Sequence, residues 1–312
     1  MTPVTREVMP ADPSRSQRSL AAVLRGLLRA TLLPAFQAGV PFERQRARIR
    51  TVTRLTLPPR QAEFRAGECG GVGGEWVSPR TGPAPDRAVL YLHGGAYCVG
   101  SPRTHRVITG QLAVRAGVRV FAADYRLAPE HPFPAALDDA VAAYRGLLEA
   151  GFAPEAITIA GDSAGGGLTF AAALRLRELG VALPGSLVAF SPWVDLSDVA
   201  RTRPAAGDVM IVEAWVGECA RHYLAGRSPA EALVSPVQSD PRGLPRTLIQ
   251  VGTDEVLLED SRRMAERLAA AGVPVRLEEY PRRWHVFQAN AGLLADADRA
   301  LERVARFVRV PA

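Results

Sequence analysis

From about residue 50 onward, short apolar runs alternate with stretches of helical periodicity. That alternation restricts the chain to a mostly parallel sheet with helices on both faces. Eight runs read as strands: 51–57, 74–77, 88–92, 118–123, 157–160, 187–190, 247–251 and 275–280. Helical patterns fall around 106–116, 136–150, 164–179, 261–271 and 293–308. Gly180 and Gly272 stand just past two of them as C-terminal stops, and Asp260 reads as an N-cap.

Two stretches interrupt this rhythm. Residues 1–48 precede the first strand and read as mostly helical. Residues 196–246 separate two strands by far more than a connecting loop needs, with helical composition around 212–224. The expected organisation is an N-terminal helical cap element at 1–48, a core at 49–195, a cap insertion at 196–246 and the remaining core at 247–312. In the first cap segment Leu20, Val23, Leu24, Leu27 and Leu28 fall on one helical face, with Arg25 and Arg29 on the other.

Composition narrows the class. At 312 residues, with 47% hydrophobic and 22% charged residues, the chain is an ordinary packed protein. No window of 18 apolar residues lacks a charge, so the reading is soluble and cytoplasmic, without membrane insertion. Three cysteines, Cys69, Cys98 and Cys219, are widely spaced and suggest neither a disulfide framework nor a zinc site. The first 60 residues carry 11 Arg against 3 acids, or +8 of the net +6, leaving −2 for the rest. Arg44, Arg46, Arg48 and Arg50 read as a solvated face, because no aromatic residues interleave with them as single-strand nucleic-acid binding requires. No nucleic-acid partner, cofactor or metal is expected, and a homodimer is left open.

The strongest chemical signal is Gly161-Asp162-Ser163-Ala164-Gly165, set between a strand pattern and a helix pattern. A serine on so sharp a turn needs small neighbours, and the turn aims the helix N-terminus at its hydroxyl. A serine nucleophile needs a base. Of five histidines, His285 follows the last strand, where the order Ser, acid, His places it. The acid should end the strand before it. Asp254 is the choice, Asp195 after the preceding strand the competitor, and Asp260 a helix cap. The strand 88–92 runs into His93-Gly94-Gly95-Ala96-Tyr97, whose glycines let backbone N–H groups converge on a developing oxyanion; Ala164 supplies another.

Together these segments resemble the hormone-sensitive-lipase-like esterases (bacterial family IV) of the α/β-hydrolase fold. The similarity rests on HGGAYCVGS at 93–101, DYRLAPEHPFPAALDD at 124–139, GDSAGG at 161–166 and SPWVDLS at 191–197. It implies an α/β-hydrolase with a helical cap, hydrolysis of carboxylic esters, a triad of Ser163, Asp254 and His285, and an oxyanion hole of Gly94, Gly95 and Ala164. It also implies that 1–48 and 196–246 together form the cap, while Glu130 and His131 belong to a structural segment. Three departures stand out: Ala96 replaces the family's third glycine, Val286 its glycine after the histidine, and DEVLLED its usual DPLRDE.

The expected activity is serine carboxylesterase on short- to medium-chain esters through an acyl-enzyme. Lactone or N-acetyl hydrolysis on the same triad is the alternative, and a non-catalytic binding protein on this scaffold the remote one. The expected pocket is closed and of limited depth, with Ala96, Tyr97, Met210, Ile211 and Trp215 around it and Leu20, Val23, Leu24 and Leu27 as a second wall. The cap insertion carries too many charges, among them Arg201, Arg203, Glu213 and Glu218, for an oil-interface lid.

Overall fold

The computed structural model describes residues 4–10, 14–82, 86–197 and 208–310. Nine strands form one sheet: β1 (Thr5–Val8), β2 (Ala62–Cys69), β3 (Val72–Pro79), β4 (Ala88–Leu92), β5 (Arg119–Ala123), β6 (Ile157–Asp162), β7 (Ser186–Phe190), β8 (Thr247–Gly252) and β9 (Val275–Tyr280). Their spatial order is β1-β9-β8-β7-β6-β4-β5-β3-β2. Pairing is parallel except where β3 meets β2 and β5. The chain leaves β4 for β5 on one side and returns to β6 on the other. That reversal opens a crevice at the C-terminal ends of β4 and β6, where open α/β sheets hold their ligands.

Eight α-helices complete the described fold: α1 (Arg15–Thr31), α2 (Phe42–Thr53), α3 (Arg106–Ala116), α4 (Ala135–Glu149), α5 (Ala164–Glu178), α6 (Glu213–Leu224), α7 (Leu258–Ala270) and α8 (Ala295–Arg309). The sheet is covered on both sides, so the strands β4, β6, β7 and β8 are buried along their whole length. One apolar core holds Leu137, Leu168 and Met264 from α4, α5 and α7. The other holds Ile108 and Leu301 from α3 and α8, with Leu24 of α1 packed at its edge.

Three sequence expectations need correction. The run 51–57 is not a strand: α2 continues to Thr53, and the Thr51 and Thr53 hydroxyls donate to the carbonyls of Ala47 and Ile49 one turn back. Its alternating threonines imitate strand periodicity, but Ile49 and Val52 are needed on one helical face toward a cavity. The sheet has nine strands rather than eight, because β1 and β2 carry mostly polar sequence at its two edges. Asp260 is no helix cap. It lies buried inside the first turn of α7, and its Oδ2 accepts from the N–H groups of Val194 and Asp195 at 3.1 and 3.2 Å.

The expected domain boundary at 48/49 falls inside α2, and β1 belongs to the sheet rather than to a cap. Residues 198–207 of the insertion, including Arg201 and Arg203, lie outside the described residues.

Candidate active site

Register sets the site. Leu92 pairs with Gly161, Asp162 with Phe190 and Gly252 with Tyr280, so five strands release their loops at one level. At the end of β6, Ser163 takes φ 54° and ψ −121°, a conformation that costs a non-glycine residue about 1–3 kcal/mol. Surrounding bonds hold it there. The Ser163 N–H donates to Phe190 O, and its carbonyl accepts from the N–H groups of Gly167 and Trp193, at 2.9–3.0 Å. The elbow also requires glycine at 165, since a Cβ there would stand 2.0 Å from the Leu92 carbonyl.

His285, from the loop after β9, is buried and lines the same cavity as Ser163. Its Nδ1 lies 3.2 Å from Glu255 Oε1. The other carboxylate oxygen of Glu255 accepts from Ser191 Oγ at 2.8 Å and from the Gly252 N–H at 3.0 Å. With Nδ1–H donated to Glu255, Nε2 is left as the accepting nitrogen. Burial alone would lower the His285 pKa, but the hydrogen bond and charge of Glu255 outweigh it and hold it above the ordinary histidine value.

Here the sequence reading of the acid is corrected. It puts Asp254 beside His285, yet the Asp254 carboxylate turns outward to Arg25 Nη2 at 2.7 Å. Asp195 also points elsewhere, to Arg263 Nη1 at 2.8 Å. Glu255 was adjacent to the chosen residue and carried no signal of its own. Two neighbouring acids at a strand end project to opposite sides, and only the packing of other segments tells them apart.

Gly94 is corrected as well. Its N–H is already donated to Asp162 Oδ1 at 3.0 Å, which also accepts from Tyr91 Oη at 2.6 Å. The candidate donors to an oxyanion in the crevice are then the backbone N–H groups of Gly95, Ala96 and Ala164. Gly95 and Ala96 line the cavity, both with positive φ, and Ala164 opens α5 directly after Ser163. The loop they stand on is braced from behind. His93 stacks on Tyr125 with centroids 4.3 Å apart, and Tyr125 Oη donates to the His93 carbonyl at 2.6 Å. Burial, with the nearby His105, pushes the His93 pKa down to about 3, so its ring stays neutral.

His105 also borders the cavity but has no nitrogen to spare. Its Nε2 lies 3.3 Å from Asp162 Oδ2, and its Nδ1 lies near Thr104 Oγ1 and Ser101 O.

The cavity encloses about 210 Å³. Met210, Ile211 and Trp215 line it together with Gly95 and Ala96, in line with the sequence reading. Tyr97 does not: its ring stacks on Tyr223 of α6, centroids 3.8 Å apart, and pins that helix to the loop. The wall from α1 is Leu28 and Leu32, continued by Phe36, rather than Leu20, Val23, Leu24 and Leu27. Val23 and Leu27 are exposed, because Arg25 turns inward to Asp254 and rotates that face to solvent. Arg46 is likewise no solvated residue. It pairs with Glu130 at 2.8 Å and donates to the carbonyls of Cys98 and Ala128, fastening α2 to the structural segment. Val286 sits at φ 51°, in the left-handed region a glycine enters freely, and its side chain borders the cavity.

The arrangement can take a proton from a serine hydroxyl and present backbone donors to the charge that follows. Comparison with known proteins agrees. A family model described as the alpha/beta hydrolase fold matches residues 89–289. An acetyl-hydrolase of Streptomyces hygroscopicus is 45% identical over 237 residues, covering 75% of this chain and 79% of that protein. An esterase of Acinetobacter venetianus is 34% identical over 285 residues, covering 90% and 93%. The crystal structure of an esterase from the bacterial hormone-sensitive lipase family superposes with a TM-score of 0.86 at 38% identity, covering 96% and 98%.

Proposed function

Because the chain belongs to the hormone-sensitive-lipase-like (bacterial family IV) esterases of the α/β-hydrolase fold, we propose that it hydrolyses short- to medium-chain carboxylic esters with Ser163 as nucleophile, His285 as base and Glu255 as acid. One observation carries the assignment: Ser163 on its strained turn and His285 backed by Glu255 open onto the same apolar cavity.

Ser163 Oγ attacks the ester carbonyl while His285 Nε2 accepts its proton, and Glu255 stabilises the imidazolium. Charge develops on the carbonyl oxygen, where the N–H groups of Gly95, Ala96 and Ala164 receive it. Collapse expels the alcohol, which takes the proton from His285 and leaves an acyl-Ser163. Water, activated by the same base, then releases the acid. The short acyl reading is supported by the small cavity and by the acetyl-hydrolase among the relatives.

No helix among the described residues is long and apolar enough to cross a membrane. The cysteines Cys69, Cys98 and Cys219 are buried free thiols, which suits a reducing compartment and the cytoplasm.

The test is direct. Ser163→Ala should lower turnover of p-nitrophenyl butyrate by about 10⁴–10⁶-fold, and an organophosphate should add its mass to the peptide carrying Ser163. Label on another residue, or full activity in the variant, would remove the proposal.

A further inference from the structure

A second cleft, of about 300 Å³, opens beside the catalytic cavity and shares Thr53 and Thr56 with it. Its other lining residues are Arg50 of α2 and Arg54 just past its end, Pro58, Arg103 before α3, and Arg106 at its start. Arg106 is neutralised by Glu75, to which it donates from Nε and Nη2 at 2.9 and 2.5 Å. Among the described residues, Arg50, Arg54 and Arg103 have no ion-pair partner. The charge of Asp124 also interacts with that of Arg103. Four guanidinium groups therefore line one cleft, and with Glu75 and Asp124 set against them two positive charges remain.

Three of these guanidinium groups are exposed at the cleft, and guanidinium forks are built for carboxylate or phosphate oxygens. The cleft's position is informative. The catalytic cavity beneath is walled by Leu28, Leu32, Ile49 and Val52, so a molecule reaching from Ser163 to the arginines crosses apolar ground and ends on positive charge.

We infer that this cleft is a subsite for an anionic group, and that the enzyme prefers esters carrying a carboxylate or phosphate separated from the ester carbonyl by an apolar spacer. The inference rests on the esterase reading of the Ser163 site and names its substrate class. The excess charge also draws such esters toward the cavity mouth, an effect that weakens as salt screens it.

Two measurements test it. In the first, p-nitrophenyl hemiesters of glutarate and adipate are compared with uncharged p-nitrophenyl esters of equal chain length. The wild type should favour the charged esters by tenfold or more in kcat/KM at low salt, and dibutyryl glycerol 3-phosphate over dibutyrylglycerol if phosphate is the better anion. That ratio should fall toward one at 0.5 M NaCl and in the R50Q/R54Q/R103Q variant, whose exposed positions leave the fold intact. In the second, calorimetric titration with adipate should give binding to the wild type that the triple variant loses. Turnover of uncharged esters with a ratio near one, and adipate binding equal in both proteins, would overturn the subsite while leaving the esterase reading standing. No turnover of any ester, with adipate binding still dependent on the three arginines, would sustain the anion site and overturn the esterase reading instead.

Discussion

Arg25 on α1 donates from Nη2 to Asp254 Oδ2 at 2.7 Å and to the Arg282 carbonyl at 3.1 Å. Its guanidinium also stands 5.7 Å from the centroid of the Trp284 ring. One side chain thus holds the residue before Glu255 and the residue before His285, joining α1 to the loops that carry both. The first prediction separates the two neighbouring acids. Asp254→Asn keeps an acceptor for Arg25 and should cost less than about tenfold in kcat. Glu255→Gln should cost on the order of 10⁴-fold, because the amide no longer fixes the imidazole tautomer. Steady-state kinetics on one ester decides it, and the reverse ranking would restore Asp254 as the acid.

Proton binding offers a second check on Glu255. His285 must be neutral to act, so kcat/KM should rise with pH through its pKa. Because Glu255 holds that pKa above the ordinary value of about 6.5, the wild-type midpoint should lie above it. In Glu255→Gln the largest raising influence is gone while burial and the lesser charges of Asp208 and Asp162 remain, so the residual activity should titrate below the wild-type midpoint. A midpoint unchanged by the substitution would mean that another group sets the acid limb.

How far the sequence could be read follows from these particulars. Ser163, His285 and the oxyanion loop lie within continuous motifs at strand ends, where local periodicity and small residues record their positions. The choice between Asp254 and Glu255 is made by Arg25, 229 residues away, and no local pattern carries that. The same holds for Gly94, whose N–H is taken by a side chain from the next strand over. Helix α2 imitates a strand because threonines alternate in it, and β1 escapes notice because its residues Thr5, Arg6 and Glu7 are polar.

Asp260 gives a third prediction, this one on stability. Burial, with the neighbouring charge of Asp195, pushes its pKa up to about 7, despite two backbone donors. A carboxyl whose folded pKa is raised above about 3.9 binds its proton more tightly when folded, so it loses stability as pH rises from about 4 to 7. Asn can accept the same two N–H groups without titrating. Asp260→Asn should therefore match the wild type near pH 4 and exceed it above pH 7, by up to a few kcal/mol. Urea melts at pH 5 and 8 measure the gap, and a gap that shrinks with rising pH would contradict the account.

The last prediction concerns substrate length, and it rests on the contact between α6 and α2. Trp215 of α6 donates from Nε1 to Gln45 Oε1 of α2 at 2.7 Å, and Gln45 Nε2 in turn donates to Val40 O at 2.7 Å. The Phe36 ring packs 4.6 Å from the buried Trp215, so the wall at this end is aromatic and tied down. Inside the cavity each added methylene should stabilise the bound chain by about 0.8 kcal/mol; once the wall is reached, further carbons gain nothing or clash. Activity on p-nitrophenyl esters should peak between acetate and octanoate, without activation above the solubility limit. Trp215→Leu should keep an apolar wall but shorten it, moving the optimum to longer chains while lowering kcat/KM for acetate. Trp215→Ala should move it further, at a stability cost of about 3–5 kcal/mol that a melt will register separately. A chain-length profile that both variants leave unchanged, in protein that still melts cooperatively, would show that Trp215 does not end the pocket.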